Sequence, residues 1–163
     1  MRTKNPTTRP RKLPIARRDG IAPVSQSAEY ALRVMTCLAR GDQIARTAID
    51  LAAEASVPVH YLSKVLRRLV AAGLLSSQKG HGGGFVLARP ASKIRFADIL
   101  GAMGEAPVGG RCAFGWGKCD AKNPCPLHPA WSALSDALQS WAGDTTLADV
   151  AAGATHKKPR RRG

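Results

Sequence analysis

The sequence predicts a mostly α fold of the α+β class, a winged helix-turn-helix with a two-stranded wing and a long C-terminal helix. Three observations carry this reading. A short helix, a tight break and a second helix with a polar, basic face follow one another between Thr47 and Gly73. The apolar period then switches from helical to strand-like around a glycine-rich tip, Gly80-His81-Gly82-Gly83-Gly84, as a hairpin requires. Further on, Leu127, Trp131, Leu134, Leu138 and Trp141 recur every three or four residues, which sets all five on one stripe of a helix.

Each element has its own signal. Ala31, Leu32, Met35, Leu38 and Ala39 recur at helical spacing within Ser27–Arg40, and Gly41 ends that helix. After a polar turn, Thr47-Ala48-Ile49-Asp50 has the form of a capping box opening a helix over Ala48–Ala55. Ser56-Val57-Pro58 breaks the chain, with Pro58 expected in the first turn of the next helix, Pro58–Ala72. That helix sets Val59, Leu62, Val65, Leu66 and Leu69 on an apolar face and His60, Ser63, Lys64, Arg67 and Arg68 on the other. Strands over Leu74–Lys79 and Phe85–Ala88 make the wing, and Arg89-Pro90 closes it. Phe96–Met103 is a short helix, Gly104–Pro124 is irregular, and a helix over roughly Pro129–Ala142 is followed by Thr146–Asp149, which caps a final turn. The organisation expected is a basic arm (1–20), a winged helix-turn-helix region (24–100), a cysteine loop with a dimerisation helix (101–153) and a basic tail (154–163).

The net charge is +14 over 163 residues, but its position matters more than its size. Residues 1–18 hold seven Lys/Arg and residues 156–163 hold five, with no acid in either. Like-charge runs of this kind are solvated tails. Inside the fold, residues 20–100 are basic, ten Lys/Arg against five acids, whereas residues 101–155 are slightly acidic, three against five. The front half is therefore the side expected to meet a polyanion. The arm lacks an apolar h-region, and no run approaches the ~18 apolar residues of a membrane span, so a soluble, cytoplasmic protein is expected. No nucleophile stands beside a base and no carboxylate pair is set for acid–base work, so neither an enzyme nor a small-molecule substrate is expected.

The major groove of DNA admits one helix, whose side chains near the N-terminus reach base edges. His60, Ser63 and Lys64 hold that position, and Arg67 and Arg68 follow where phosphates would lie. At the wing tip, Gly80 and Gly82 let the backbone approach a phosphate chain, with Lys79 and His81 as donors. A merely solvated charged face and a floppy loop are the bland alternatives.

Cys112, Cys119 and Cys125 fall within fourteen residues of Gly/Pro-rich chain. Such a loop turns backbone N–H groups toward a ligand, the support an iron–sulfur cluster needs, and the spacing is not that of a zinc ribbon. A redox disulfide between two of the thiols and a zinc site, each giving a cluster-free regulator on the same fold, are the alternatives, and an iron–sulfur carrier protein with a vestigial helix-turn-helix is the reading from another class. Three thiols leave a fourth ligand open; His128 is the local candidate and is equally a polar helix-start residue. Cys37 reads as a small helix-packing thiol.

The chain resembles the Rrf2 family of bacterial winged helix-turn-helix regulators, which includes the IscR-, NsrR- and RirA-type proteins. The likeness runs from about Val24 to Val150. It rests on Ala28-Glu29-Tyr30-Ala31-Leu32-Arg33, Tyr61-Leu62-Ser63-Lys64-Val65-Leu66, Ala72-Gly73-Leu74-Leu75, the wing from Lys79 to Pro90, Cys125-Pro126-Leu127-His128-Pro129-Ala130-Trp131, and Thr145-Thr146-Leu147-Ala148-Asp149-Val150. It implies a homodimer whose C-terminal helix, with the stripe Leu127, Trp131, Leu134, Leu138 and Trp141, crosses onto the partner. It also implies a transcription regulator, a repressor on an inverted-repeat operator in double-stranded DNA, whose affinity is controlled by an iron–sulfur cluster sensing iron, redox state or nitric oxide. The cluster expected is 2Fe–2S, with 4Fe–4S as the alternative. Its ligands would be Cys112, Cys119, Cys125 and His128, or, in place of His128, Glu29 from the partner chain. The chain departs from the family in the six residues between its first two cysteines, in the identities of His60, Ser63 and Lys64, and in Pro58, which supplies no hydroxyl cap.

Overall fold

The computed structural model of the chain describes residues 24–41, 44–80, 82–105 and 112–153. The basic arm, the basic tail and His81 lie outside the described residues.

Ser25 caps α1 (Gln26–Arg40), its hydroxyl accepting the Ala28 N–H at 3.3 Å. Ala28, Ala31, Val34, Met35, Cys37 and Leu38 form the buried face of α1, while Leu32 and Ala39 lie half-buried at its edges. α2 (Ala48–Ala55) opens on the expected cap: the Asp50 N–H donates to Thr47 Oγ1 at 3.2 Å and the Thr47 hydroxyl donates to the Asp50 carboxylate at 2.7 Å. Ser56 ends α2 in the left-handed region, φ 53°, which turns the chain sharply into α3.

α3 runs Val59–Ala71. Pro58 stands one place earlier than expected, as the N-cap, and makes no side-chain cap bond. Val59 corrects the expected apolar face. It is 51% exposed, because it stands at the first position of the helix, ahead of the turn at which Leu62 enters the core. Leu62, Val65, Leu66 and Leu69 are buried as the period required. Gly73 (φ +67°) ends α3 in a Schellman turn, with Leu74 N–H on Leu69 O at 3.0 Å and Gly73 N–H on Val70 O at 2.9 Å.

The wing pairs β1 (Leu75–Gln78) with β2 (Gly84–Leu87) antiparallel, Leu75 opposite Leu87 and Gln78 opposite Gly84. Arg46, in what reads as a polar turn, adds a rung on the other side of β2. Its N–H donates to Phe85 O at 3.1 Å and its carbonyl accepts from Phe85 N–H at 2.9 Å. The wing is thereby tied to the segment entering α2.

α4 (Phe96–Ala102), α5 (His128–Asp144) and α6 (Leu147–Gly153) complete the chain. α5 packs on α4, and α6 packs on α1. Phe96 N–H reaches Thr145 O at 3.1 Å and Leu147 N–H reaches Ile94 O at 2.8 Å, stitching the C-terminal helices to the end of the wing region. Ile94 and Leu147 are fully buried in the same core as Met35, Leu51, Leu62 and Ile99. Each large side chain buried there contributes ~1.5–3 kcal/mol. Among the described residues no helix is long and apolar enough to cross a membrane.

Candidate nucleic-acid interface and cysteine site

The exposed face of α3 carries His60, Ser63, Lys64 and Arg67. The helical period that buries Leu62, Leu66 and Leu69 in the core turns these four outward. Ser63 and Arg67 share a cleft of about 290 Å3 with Ser77 and Phe85 of the wing, so helix face and hairpin adjoin. Tyr61, not singled out from the sequence, is 45% exposed. Its ring lies 4.8 Å from that of His60, tilted by 49°, and edge-on to Tyr30 at 6.0 Å. An aromatic on an otherwise polar face was the available signal.

Arg68 sits apart from the others. It is exposed like the others, and its guanidinium also donates to the carbonyl of Met103 at 3.1 Å, at the C-cap of α4.

At the wing tip, Lys79, Gly80 and Gly82 are exposed, and the Gly83 N–H closes the turn on Gly80 O at 2.9 Å. Gly80 (φ +100°) and Gly82 (φ +80°) have open space around them. Gly83 and Gly84 are glycines for a different reason. A Cβ would lie 2.5 Å from Gln78 O at the former and 2.5 Å from Arg46 O at the latter. These two are required by the hairpin's own packing.

The cysteine loop is irregular, as expected. Cys112 N–H bonds Gly117 O at 3.0 Å, and Gly115 and Gly117 have φ of +74° and +101°. This tight turn aims backbone N–H groups at Cys112. Its thiol is held below the ordinary range, first by the N–H of Phe114, then by Trp116, the Cys125 side chain and Gly115, against an opposing push from burial. Cys112, Cys119, Cys125 and His128 line one cavity of about 230 Å3, with Trp116, Lys118, Asp120 and Asn123. His128 is the first residue of α5, fixed by its N–H on Cys125 O at 2.9 Å. Among the described residues, no three His, Cys, Asp or Glu side chains converge as a single metal ion requires. The four groups surround a space instead. Stacked Phe114 and Trp116 (centroids 4.7 Å apart) stand exposed on the same turn, a feature missed in the sequence because both fall in irregular chain.

Glu29 does not line this cavity; it is paired with Arg33 one turn along α1. Cys37 is a core residue. Burial, then the neighbouring Glu54 carboxylate, pushes its thiol up to about 11. On α5 only Ser135 and Ala142 are buried. Leu127 (47%), Leu134 (51%) and Trp141 (41%) stay exposed, Trp131 and Leu138 are half-buried, and Trp141 meets Phe96 edge-on at 5.4 Å. The stripe is continuous but mostly uncovered within its own chain.

Known proteins match this arrangement. The chain is 37% identical over 134 residues to Rv1287 of Mycobacterium tuberculosis, provisionally named an HTH-type transcriptional regulator, with 80% of this chain and 82% of the relative covered. It is 29% identical over 128 residues to the HTH-type transcriptional regulator IscR of Escherichia coli, covering 78% of each. Among solved structures, CymR of B. subtilis, titled a global cysteine regulator, superposes with a TM-score of 0.70 at 23% identity, over 82% of this chain and 99% of that one. IscR of T. potens superposes at 0.66 with 21% identity, over 85% and 94%. The likeness to both supports the winged-helix fold, here six α-helices and a two-stranded sheet among the described residues. The relatives named here are regulators, not enzymes. The family described as Rrf2, iron-dependent transcriptional regulator, matches residues 24–153, and the chain belongs to that family of transcriptional regulators.

Proposed function

We propose that this regulator is a cytosolic homodimeric repressor that binds an inverted-repeat operator and responds to the state of an iron–sulfur cluster held by Cys112, Cys119, Cys125 and His128. The observation that carries the reading is the shared cavity of about 230 Å3, into which three thiols and an imidazole from separate turns are gathered. A multi-iron cluster, preferentially 2Fe–2S, needs ligands spread around a space with backbone N–H groups nearby, and the Phe114–Trp116 turn provides such donors at Cys112. When bound, the cluster would supply a redox- and iron-sensitive centre. The chain's own residues do the rest: His60, Ser63 and Lys64 read base edges, Arg67 and the wing at Lys79, Gly80 and Gly82 hold phosphates, and the exposed α5 stripe meets the partner. His81 belongs to the same wing in this reading. The iron dependence in the family's description supports it.

A second reading, a cluster-free thiol regulator, has one observation in its favour. The Cys125 side chain hydrogen-bonds Cys112, whose thiol is already shifted toward the thiolate.

The test is anaerobic purification followed by visible absorption and assay of iron and acid-labile sulfide, for the wild type and for Cys112→Ser, Cys119→Ser and Cys125→Ser. Visible charge-transfer bands with iron and sulfide in the wild type, lost in each variant, are expected. A folded, colourless, iron-free wild type overturns the cluster and leaves the thiol reading.

A further inference from the structure

The root of the cysteine loop is fastened at three points. α4 ends in a Schellman turn: Glu105 N–H meets Leu100 O at 3.0 Å, Gly104 N–H meets Gly101 O at 2.9 Å, and Gly104 has φ +78°. Arg68 of α3 donates to Met103 O at 3.1 Å, across 35 residues of sequence. The Glu105 carboxylate accepts the N–H of Ser25, the N-cap of α1, at 3.0 and 3.2 Å, across 80 residues. Met103 is buried, so the root lies against the core. Cys112 follows Glu105 by seven residues, so this root stands directly before the cysteine turn in the sequence.

We infer that Met103–Glu105 is a coupling clamp, and that Arg68 and Glu105 are positioning residues that transmit the state of the cysteine loop to the DNA-reading helix. The inference rests on the sensing role proposed above. Arg68 is the pivotal group. A guanidinium beside the C-terminal end of α4 makes a charge-assisted bond that the helix dipole favours. It lies on the same helix as His60, Ser63 and Lys64, so a shift of the Met103 carbonyl changes the support of the surface that meets bases. Arg67, its sequence neighbour, faces the wing cleft instead. Two adjacent arginines thus have separable duties, one toward phosphate and one toward the loop.

A double-mutant cycle separates these duties. DNA affinity is measured against salt for the wild type, Arg67→Gln, Arg68→Gln, Arg68→Lys, Glu105→Gln, and each of these combined with Cys125→Ala. Cys125→Ala perturbs the loop whatever it holds. In the wild-type background it should change operator affinity by about five- to 150-fold, the usual span of allosteric coupling. In the Arg68→Gln and Glu105→Gln backgrounds that effect should shrink to within about twofold, and Arg68→Lys, which keeps a charged donor, should restore part of it. Arg68→Gln should leave the salt slope unchanged, whereas Arg67→Gln should lower it by about one. Hydrogen exchange over α3 gives a DNA-free readout: Cys125→Ala should raise it only while Arg68 is present. If Cys125→Ala acts equally in all backgrounds, or if Arg68→Gln lowers the salt slope, the clamp is wrong while the sensing role stands. If Cys125→Ala changes neither affinity nor exchange in the wild-type background, the sensing role and the clamp fall together.

Discussion

Cys119 Sγ lies 3.1 Å from His128 Nδ1, and the Cys119 thiol is pushed above its ordinary range. The causes are partial burial and then the negative charge of Cys112, Cys125, Asp120 and Asp136. Such crowding opposes ionisation. A bound cation reverses that balance, because it turns mutual repulsion among thiolates into shared attraction.

We propose His128 as the fourth ligand, because its ring stands 3.1 Å from Cys119 Sγ, with Glu29 from the partner chain as the alternative. His128→Ala purified without oxygen should lose most of its visible absorption and bound iron, while Glu29→Ala should keep both. Loss in the Glu29 variant alone would transfer the ligand role to the partner's carboxylate.

The wing makes a prediction about glycines. Gly82→Ala places a side chain in open space at φ +80° and should cost about 1–2 kcal/mol of backbone strain. Gly84→Ala should cost more, because its Cβ meets the Arg46 backbone at 2.5 Å and the Arg46–Phe85 rung must break. Urea denaturation of the two variants gives the order; a Gly84→Ala protein as stable as wild type would contradict the packing described.

The exposed α5 stripe predicts a dimer. Leu134, 51% exposed, contributes little to its own chain, so Leu134→Asp should leave the monomer folded by circular dichroism. In sedimentation, the same variant should shift from dimer toward monomer. Burial of one such side chain is worth ~1.5–3 kcal/mol per chain. A fully dimeric Leu134→Asp protein would place the interface elsewhere.

Most of the helical frame was legible because burial there follows a single period. Leu62, Leu66 and Leu69 inside force His60, Lys64 and Arg67 outside, and Thr47 with Asp50 announces the start of α2. Val59 broke the pattern because a period says nothing about whether a neighbour covers the first turn. Arg46, Arg68 and Glu105 were illegible for another reason. Each acts through a partner 35 or more residues away, or through a backbone carbonyl that has no sequence identity. The cysteine set was visible in composition, but the gathering of Cys112, Cys119, Cys125 and His128 around one cavity depends on left-handed turns at Gly115 and Gly117.

The start of α6 carries a pH signature. The Thr146 hydroxyl, then its backbone N–H, holds the Asp149 carboxyl below its ordinary 3.8. A depressed carboxyl stabilises the fold above the unfolded value and loses that contribution as pH falls through the folded one. The difference in urea midpoint between wild type and Asp149→Asn should therefore be constant from about pH 5 to 7 and shrink below 3.8. A difference that persists undiminished at lower pH would remove the ionised cap from the account.

The most direct test of the central claim is an anaerobic fluorescence-anisotropy titration of one duplex, selected from random sequences by the wild-type protein. The same preparation is titrated with its cluster intact and after the cluster has been removed by a chelator and oxidant and the thiols re-reduced. The two forms should differ in affinity by about five- to 150-fold. Lys64→Ala should weaken the tighter form by ~1–3 kcal/mol. Equal affinity of the two forms, with Lys64→Ala still weakening both, would leave a DNA-binding protein whose cysteine site does not govern it.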